Sequence, residues 1–214
     1  MSSPSRSHTD TPMVAALYVE RGGVYYGLPD VDPWDEERDA RLYAGPWPVV
    51  AHPPCARWCQ IAKLVELRYG YRQGDDGGSF AAALAAVETW GGVLEHPAFS
   101  KAWPAHDLPR PERGIWRKSL LHPGWVTELD QHAYGHLARK RTWLYYVGPQ
   151  PPDLDWTPAP EGLPHVSSFS YNRGAKWHTE RMRVRPKEAS ATPVAFRDVL
   201  LDMARSASKV APDG

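Results

Sequence analysis

The stretch from Ser79 to Pro97 constrains this chain more than any other, because a helical pattern passes almost directly into a strand pattern. Ser79 can cap a helix that runs to Trp90, Gly91-Gly92 ends it, and Val93-Leu94 opens a strand that closes on Glu95-His96-Pro97. That step is typical of an α/β layer fold. The 22 prolines among 214 residues favour ordered loops and strand ends over a helical bundle. At 42% hydrophobic and 23% charged, the chain can bury a substantial core.

The rest of the chain is read around that unit. Met13–Val19 is a buried strand, and Val24–Tyr26 is an extended piece after the Gly22-Gly23 turn. Asp30–Asp39 is a polar loop entering a short helix near Glu36–Leu42. Trp47–Ala51 is a strand stopped at His52-Pro53-Pro54-Cys55. Helical spacing runs from Cys59 to Tyr69 and stops at Gly70. Residues 100–125 read as a Pro/Trp-rich loop, and Thr142–Val147 as a strong strand. A last helix starts at Thr192-Pro193, with Val194, Val199, Leu200 and Met203 spaced to dock. The expectation is an α/β fold, a reduced Rossmann-like three-layer sheet. Its parts are a disordered lead-in (1–12), a core domain (13–148), a Pro-rich basic extension (149–190), a docking helix (191–206) and a disordered tail (207–214).

The longest uncharged apolar run, Phe80–Val87, is far short of a membrane span. With two cysteines four residues apart there is no disulfide framework. A soluble, cytoplasmic protein without a membrane partner is expected. Net charge is zero, yet residues 1–100 carry 8 basic and 13 acidic groups (8 − 13 = −5) and residues 101–214 carry 17 and 12 (17 − 12 = +5). The densest basic run, Arg173 to Lys187, includes Arg173, Lys176, Arg181, Arg183 and Arg185 and suits the backbone of a nucleic acid or nucleotide. The sequence leaves the oligomeric state open.

Two polar motifs stand at predicted strand ends, where ligands bind in open α/β sheets: His52-Pro-Pro-Cys55 and Glu95-His96-Pro97. Cys55 is a candidate nucleophile, its thiol to be activated by a nearby helix N-terminus; the plain alternative is a small residue in a tight turn. Glu95, partly desolvated at the end of an apolar strand, can stay protonated and donate to a ring nitrogen; the plain alternative is a loop carboxylate paired with an arginine. Before the Thr142 strand come Arg139, Lys140 and Arg141. Alternation points Lys140 into a site while its neighbours contact phosphate. His52, Cys55, Cys59 and His96, with His132 and His136 at i, i+4, raise a zinc site, but Cys-x3-Cys lacks a second cysteine pair and no metal is expected.

In order, Pro53-Pro54-Cys55, Glu95-His96-Pro97 and Tyr134-Gly135 with Lys140 resemble the cytosine-5 DNA methyltransferases. Over most of residues 14–205 the chain is also similar to small methyltransferase-like proteins of phages and prophages. The resemblance implies that Cys55 attacks C6 of a pyrimidine, Glu95 assists at N3, and Lys140 stands where the family has an arginine. Pro54, His52, His96, Arg139 and Arg141 would then line the substrate. It also implies S-adenosylmethionine held by the loop after the first strand, with Gly22 and Gly23. There Glu20 replaces a glycine of the pattern, and only 38 positions separate Leu17 from Cys55. A duplex base would have to be flipped out to reach Cys55. The expected function is a pyrimidine-modifying enzyme; the rival is a non-catalytic phage protein of that fold that binds nucleic acid or blocks host defence.

Overall fold

The computed structural model describes residues 13–60, 62–163 and 186–207. Seven strands form one mixed sheet: β1 (Val14–Leu17), β2 (Val31–Trp34), β3 (Val49–Ala51), β4 (Gly92–Pro97), β5 (Arg117–Lys118), β6 (Trp125–Asp130) and β7 (Arg141–Val147), in the order β2-β1-β3-β4-β7-β6-β5. The first four run parallel, β7 is antiparallel to β4, and β6 and β5 continue antiparallel. The carboxyl ends of β1, β3, β4 and β6 and the start of β7 therefore meet along one edge.

Helices cover both faces. One face carries Ala15, Leu17, Val49, Ala51 and Leu94 against Phe80, Ala83, Leu84 and Val87 of α2 (Ser79–Trp90). The other carries Val14, Ala16, Val50 and Val93 against Phe196, Leu200, Leu201, Met203 and Ala204 of α5 (Val194–Ala207). Burial on both faces explains why the parallel strands read as unbroken apolar runs. The fold is α/β, as expected.

Local chemistry sets the elements. The Asp76 side chain accepts from the backbone N–H groups of Gly78 and Phe80, at 3.0 and 2.9 Å, so Asp76 caps α2 in place of Ser79. At Gly92 the backbone takes φ +116°, and a Cβ there would lie 2.0 Å from the Val49 carbonyl oxygen, so only glycine lets β4 approach β3. The shorter helices are α1 (Ala62–Tyr69), α3 (Ala102–Ala105) and α4 (Pro186–Ser190), with 3-10 turns at Glu36–Arg38, Ala40–Leu42 and Gln131–Tyr134.

Several expectations are corrected. Val24–Tyr26 lies in a run of turns, and the second strand is Val31–Trp34, inside the stretch read as polar loop. Pro33 is tolerated there because β2 is an edge strand with no outer ladder. The stretch 100–125 contains α3 and β5, and β6 begins at its end. Val194 is exposed at the start of α5, where Phe196 and Leu201 face inward instead. The described part of the Pro-rich extension packs on the core: Trp116 Nε1 donates to the Pro152 carbonyl (2.8 Å), and Tyr134 Oη accepts from the Asp155 N–H (2.7 Å). Arg173, Lys176, Arg181, Arg183 and Arg185, the lead-in 1–12 and residues 208–214 lie outside the described residues.

Candidate active site

Strand alternation decides which side chains meet. In β4, Leu94 and His96 face α2, while Val93 and Glu95 face α5. On the α5 side, at the shared edge, Glu95 is buried and held at both oxygens. His52, just past β3, faces Glu95 Oε2 through Nδ1 at 3.0 Å, and Gln131, just past β6, donates from Nε2 to Oε1 at 3.1 Å. Gln131 also donates to Thr142 Oγ1 in β7 (2.9 Å), and the far side of the His52 ring, Nε2, meets Tyr25 Oη at 2.8 Å. Two chain segments thus hold one carboxylate directly, and two more, through Thr142 and Tyr25, hold the holders.

Burial by itself would raise the Glu95 carboxyl, but the hydrogen bond and charge of His52, with Lys140 behind them, outweigh it and pull the group down to about 2. Glu95 is therefore ionised at rest, which corrects the expectation of a protonated donor. The physical reason is that its oxygens receive donors where an empty apolar pocket would have left them bare.

Cys55 sits half-buried in the turn after Pro53-Pro54. Its thiol is pushed up, first by burial and then by the charge of Glu95, with Lys140 pulling weakly the other way. The expected activation by a helix N-terminus does not occur, since α1 is described only from Ala62 and residues 56–60 form turns. Lys140 feels both groups as charges. Burial lowers its ammonium while Glu95 and Cys55 act to raise it, and Nζ donates to the carbonyls of Ser190 and Ala191 at 3.1 and 3.0 Å. His52 and Glu95 are thus in direct contact, Cys55 and Lys140 feel the Glu95 charge, and Pro54 is exposed next to Cys55.

Other candidates fall elsewhere. His96 is fully buried on the opposite face, 5.2 Å from Phe80 and stacked on Trp103 at 6.1 Å. Neither ring nitrogen makes a well-formed hydrogen bond, and burial lowers the imidazole to about 4 against the favourable pull of Glu95 and the Pro54 and Pro53 carbonyls. It is enclosed within the protein, away from the Glu95 side of β4. Arg139 donates to the Ala159 carbonyl (2.9 Å) and lies 3.8 Å from Asp130, while Arg141 donates to the buried Glu128 at 2.7 Å. Both guanidinium groups face the protein's own carboxylates in place of phosphate. His132 and His136 are not on an α-helical face: the 3-10 turn ends at Gly135, and His132 Nδ1 meets the His136 carbonyl (2.9 Å). Among the described residues no group of three or more His, Cys, Asp or Glu is placed to hold a metal.

The loop after β1 gives a poor fit to S-adenosylmethionine. No helix begins there. The Gly23 N–H donates to the Glu20 carbonyl (2.9 Å) and the Tyr26 N–H to the Gly23 carbonyl (3.0 Å), so these groups close turns. The order of strands reverses at β1 and β3, the place where open sheets bind ligands, and there Tyr25 lies 3% exposed with its ring 5.5 Å from His52. The chain's own tyrosine takes that position, so Gly22 and Gly23 form no cradle.

Tyr25, Gln131 and Thr142 have no motif that marks them in the sequence; the only local signal is the polar Asp130-Gln131 pair ending an alternating run. Compared with protein-family models, curated proteins and solved structures, the chain matches none.

Proposed function

We propose that this chain is a pyrimidine-modifying enzyme using the nucleophilic chemistry of the cytosine-5 methyltransferase type, on a nucleotide or nucleic acid. We read the β2-β1-β3-β4 half of its sheet as a reduced Rossmann-like unit. One observation carries the reading: a buried carboxylate, clamped at both oxygens by His52 and Gln131, stands at the carboxyl ends of parallel strands, the same edge at which the turn carrying Cys55 leaves the sheet.

Glu95 holds a proton far more weakly than the Cys55 thiol does, so the relay is concerted: as the Cys55 sulfur forms its bond to C6 of the ring, its proton crosses Glu95 without resting there. The C5=C6 electron pair shifts toward C4 and the C4=N3 pair onto N3, which takes the proton from Glu95. Glu95 ends ionised, as it began, and C5 is left electron-rich. Charge is conserved within the site, and His52 and Gln131 hold the carboxylate in place throughout. No step is routed through a methyl donor, because the loop after β1 does not fit one.

Such addition leaves a trace that needs no cofactor: the C5 hydrogen exchanges with solvent when the adduct reverses. Exchange at C5 of deoxycytidine monophosphate and of a cytosine-containing oligonucleotide in deuterated water, followed by proton NMR, is expected with the intact chain. Cys55→Ser should abolish it while thermal melting shows a folded protein, and Glu95→Gln should slow it by about 10²–10⁴-fold. Exchange that survives in Cys55→Ser removes Cys55 from the chemistry.

A further inference from the structure

The turn that carries Cys55 continues into an exposed run of aromatic and basic side chains that the reaction above leaves unused. Two residues past Cys55, the Arg57 guanidinium stands 4.3 Å over the Tyr71 ring. The Tyr71 and Tyr69 rings are 6.4 Å apart and tilted by only 31°, and Arg68 stands 5.4 Å from the Tyr69 ring. Tyr69 and Tyr71 are 60% and 54% exposed, where an apolar ring ordinarily seeks cover. Between residues 55 and 74 the chain has four basic residues (Arg57, Lys63, Arg68, Arg72) and one acidic, Glu66, already paired with Lys63 at 3.1 Å. The Arg57 carbonyl accepts from the Gly74 N–H (3.0 Å) and Glu66 from the Gln73 N–H (3.4 Å), so the two ends of this segment are tied together.

We propose that the Arg57–Tyr71–Tyr69–Arg68 rail binds single-stranded nucleic acid and leads it to Cys55. Resting on the pyrimidine reading, this names the substrate as a polymer. Rings offer faces on which successive bases stack, and the guanidinium groups flanking the pair meet the phosphates, with no preference for sequence. A duplex hides its base faces and a free nucleotide fills one ring at most. The surplus of three positive charges on this segment of a neutral chain complements a polyanion.

The test is fluorescence anisotropy of a labelled 12-nucleotide single strand with the full chain, against the matching duplex and a poly-glutamate peptide. Tight binding of the single strand alone is expected. Tyr69→Ala and Tyr71→Ala should each weaken it about ten-fold, Tyr→Phe at either position should restore it, and Arg57→Gln should lower the salt slope by about 0.7. Unchanged affinity in the double alanine variant, or equal binding of duplex or poly-glutamate, overturns the rail. Tyrosine-dependent binding without C5 exchange would uphold the rail and sink the pyrimidine chemistry. Exchange with tyrosine-indifferent binding would do the reverse.

Discussion

Glu95 and His96 both titrate below their ordinary values, one because its hydrogen-bond and charge partners outweigh burial and the other because burial outweighs its polar neighbours. Each binds protons more readily in the unfolded chain. His96 therefore contributes stability that is full above pH 6.5 and lost as pH falls toward about 4. Glu95 contributes stability that is full above pH 4.5 and lost as pH falls toward about 2. The urea midpoint should accordingly decline in two stages on acidification. His96→Gln should flatten the upper stage whatever it does to the absolute level, and a slope unchanged between pH 6.5 and 4 would remove His96 as its source. The same charge acts on the thiol. In a Cys59→Ser background, Glu95→Gln removes one of the influences that raise Cys55, so the midpoint for alkylation by iodoacetamide should move to lower pH.

At the scale of elements, α5 is what seals the site face of the sheet. It lies over β1, β3 and β4, and Leu200 is fully buried among Val14, Ala16, Val50 and Val93. Leu200→Ala should lower unfolding free energy by about 2–5 kcal/mol in urea titration, against a negligible change for the exposed Val194→Ala. α2, β4 and β7 are legible in the sequence because each is a long run with a single period. β6 is not, because polar residues are buried on both of its faces, Thr127 on one and Glu128 and Asp130 on the other, which breaks the apolar pattern of a buried strand. Their partners, Ile115 O for Thr127, Arg141 and Trp143 for Glu128, and Arg113 and Arg139 for Asp130, lie up to 17 residues away. β2 is hidden by Pro33 and by two aspartates that serve as local hydrogen-bond acceptors: Asp32 for Trp34 (2.8 Å) and Asp35, just beyond the strand, for Glu37 (3.0 Å).

For the whole molecule, the site is an edge property. Cys55, Glu95, His52 and Lys140 are readable because each sits at a recognisable strand end. Tyr25 and Gln131 are not, because a turn and a 3-10 segment deliver them and only the assembled sheet shows where they land. Among the described residues no helix is long and apolar enough to cross a membrane. The position of Tyr25 has a mass-action meaning. A side chain tethered by its own backbone competes for that crevice at a fixed effective concentration that no dilution lowers. Its loop is anchored besides by Tyr26 on Asp35 (2.5 Å) and by Arg197 on the Val24 carbonyl (2.8 Å). Any diffusible small molecule entering between β1 and β3 has to outbid an occupant that never leaves the solution around it.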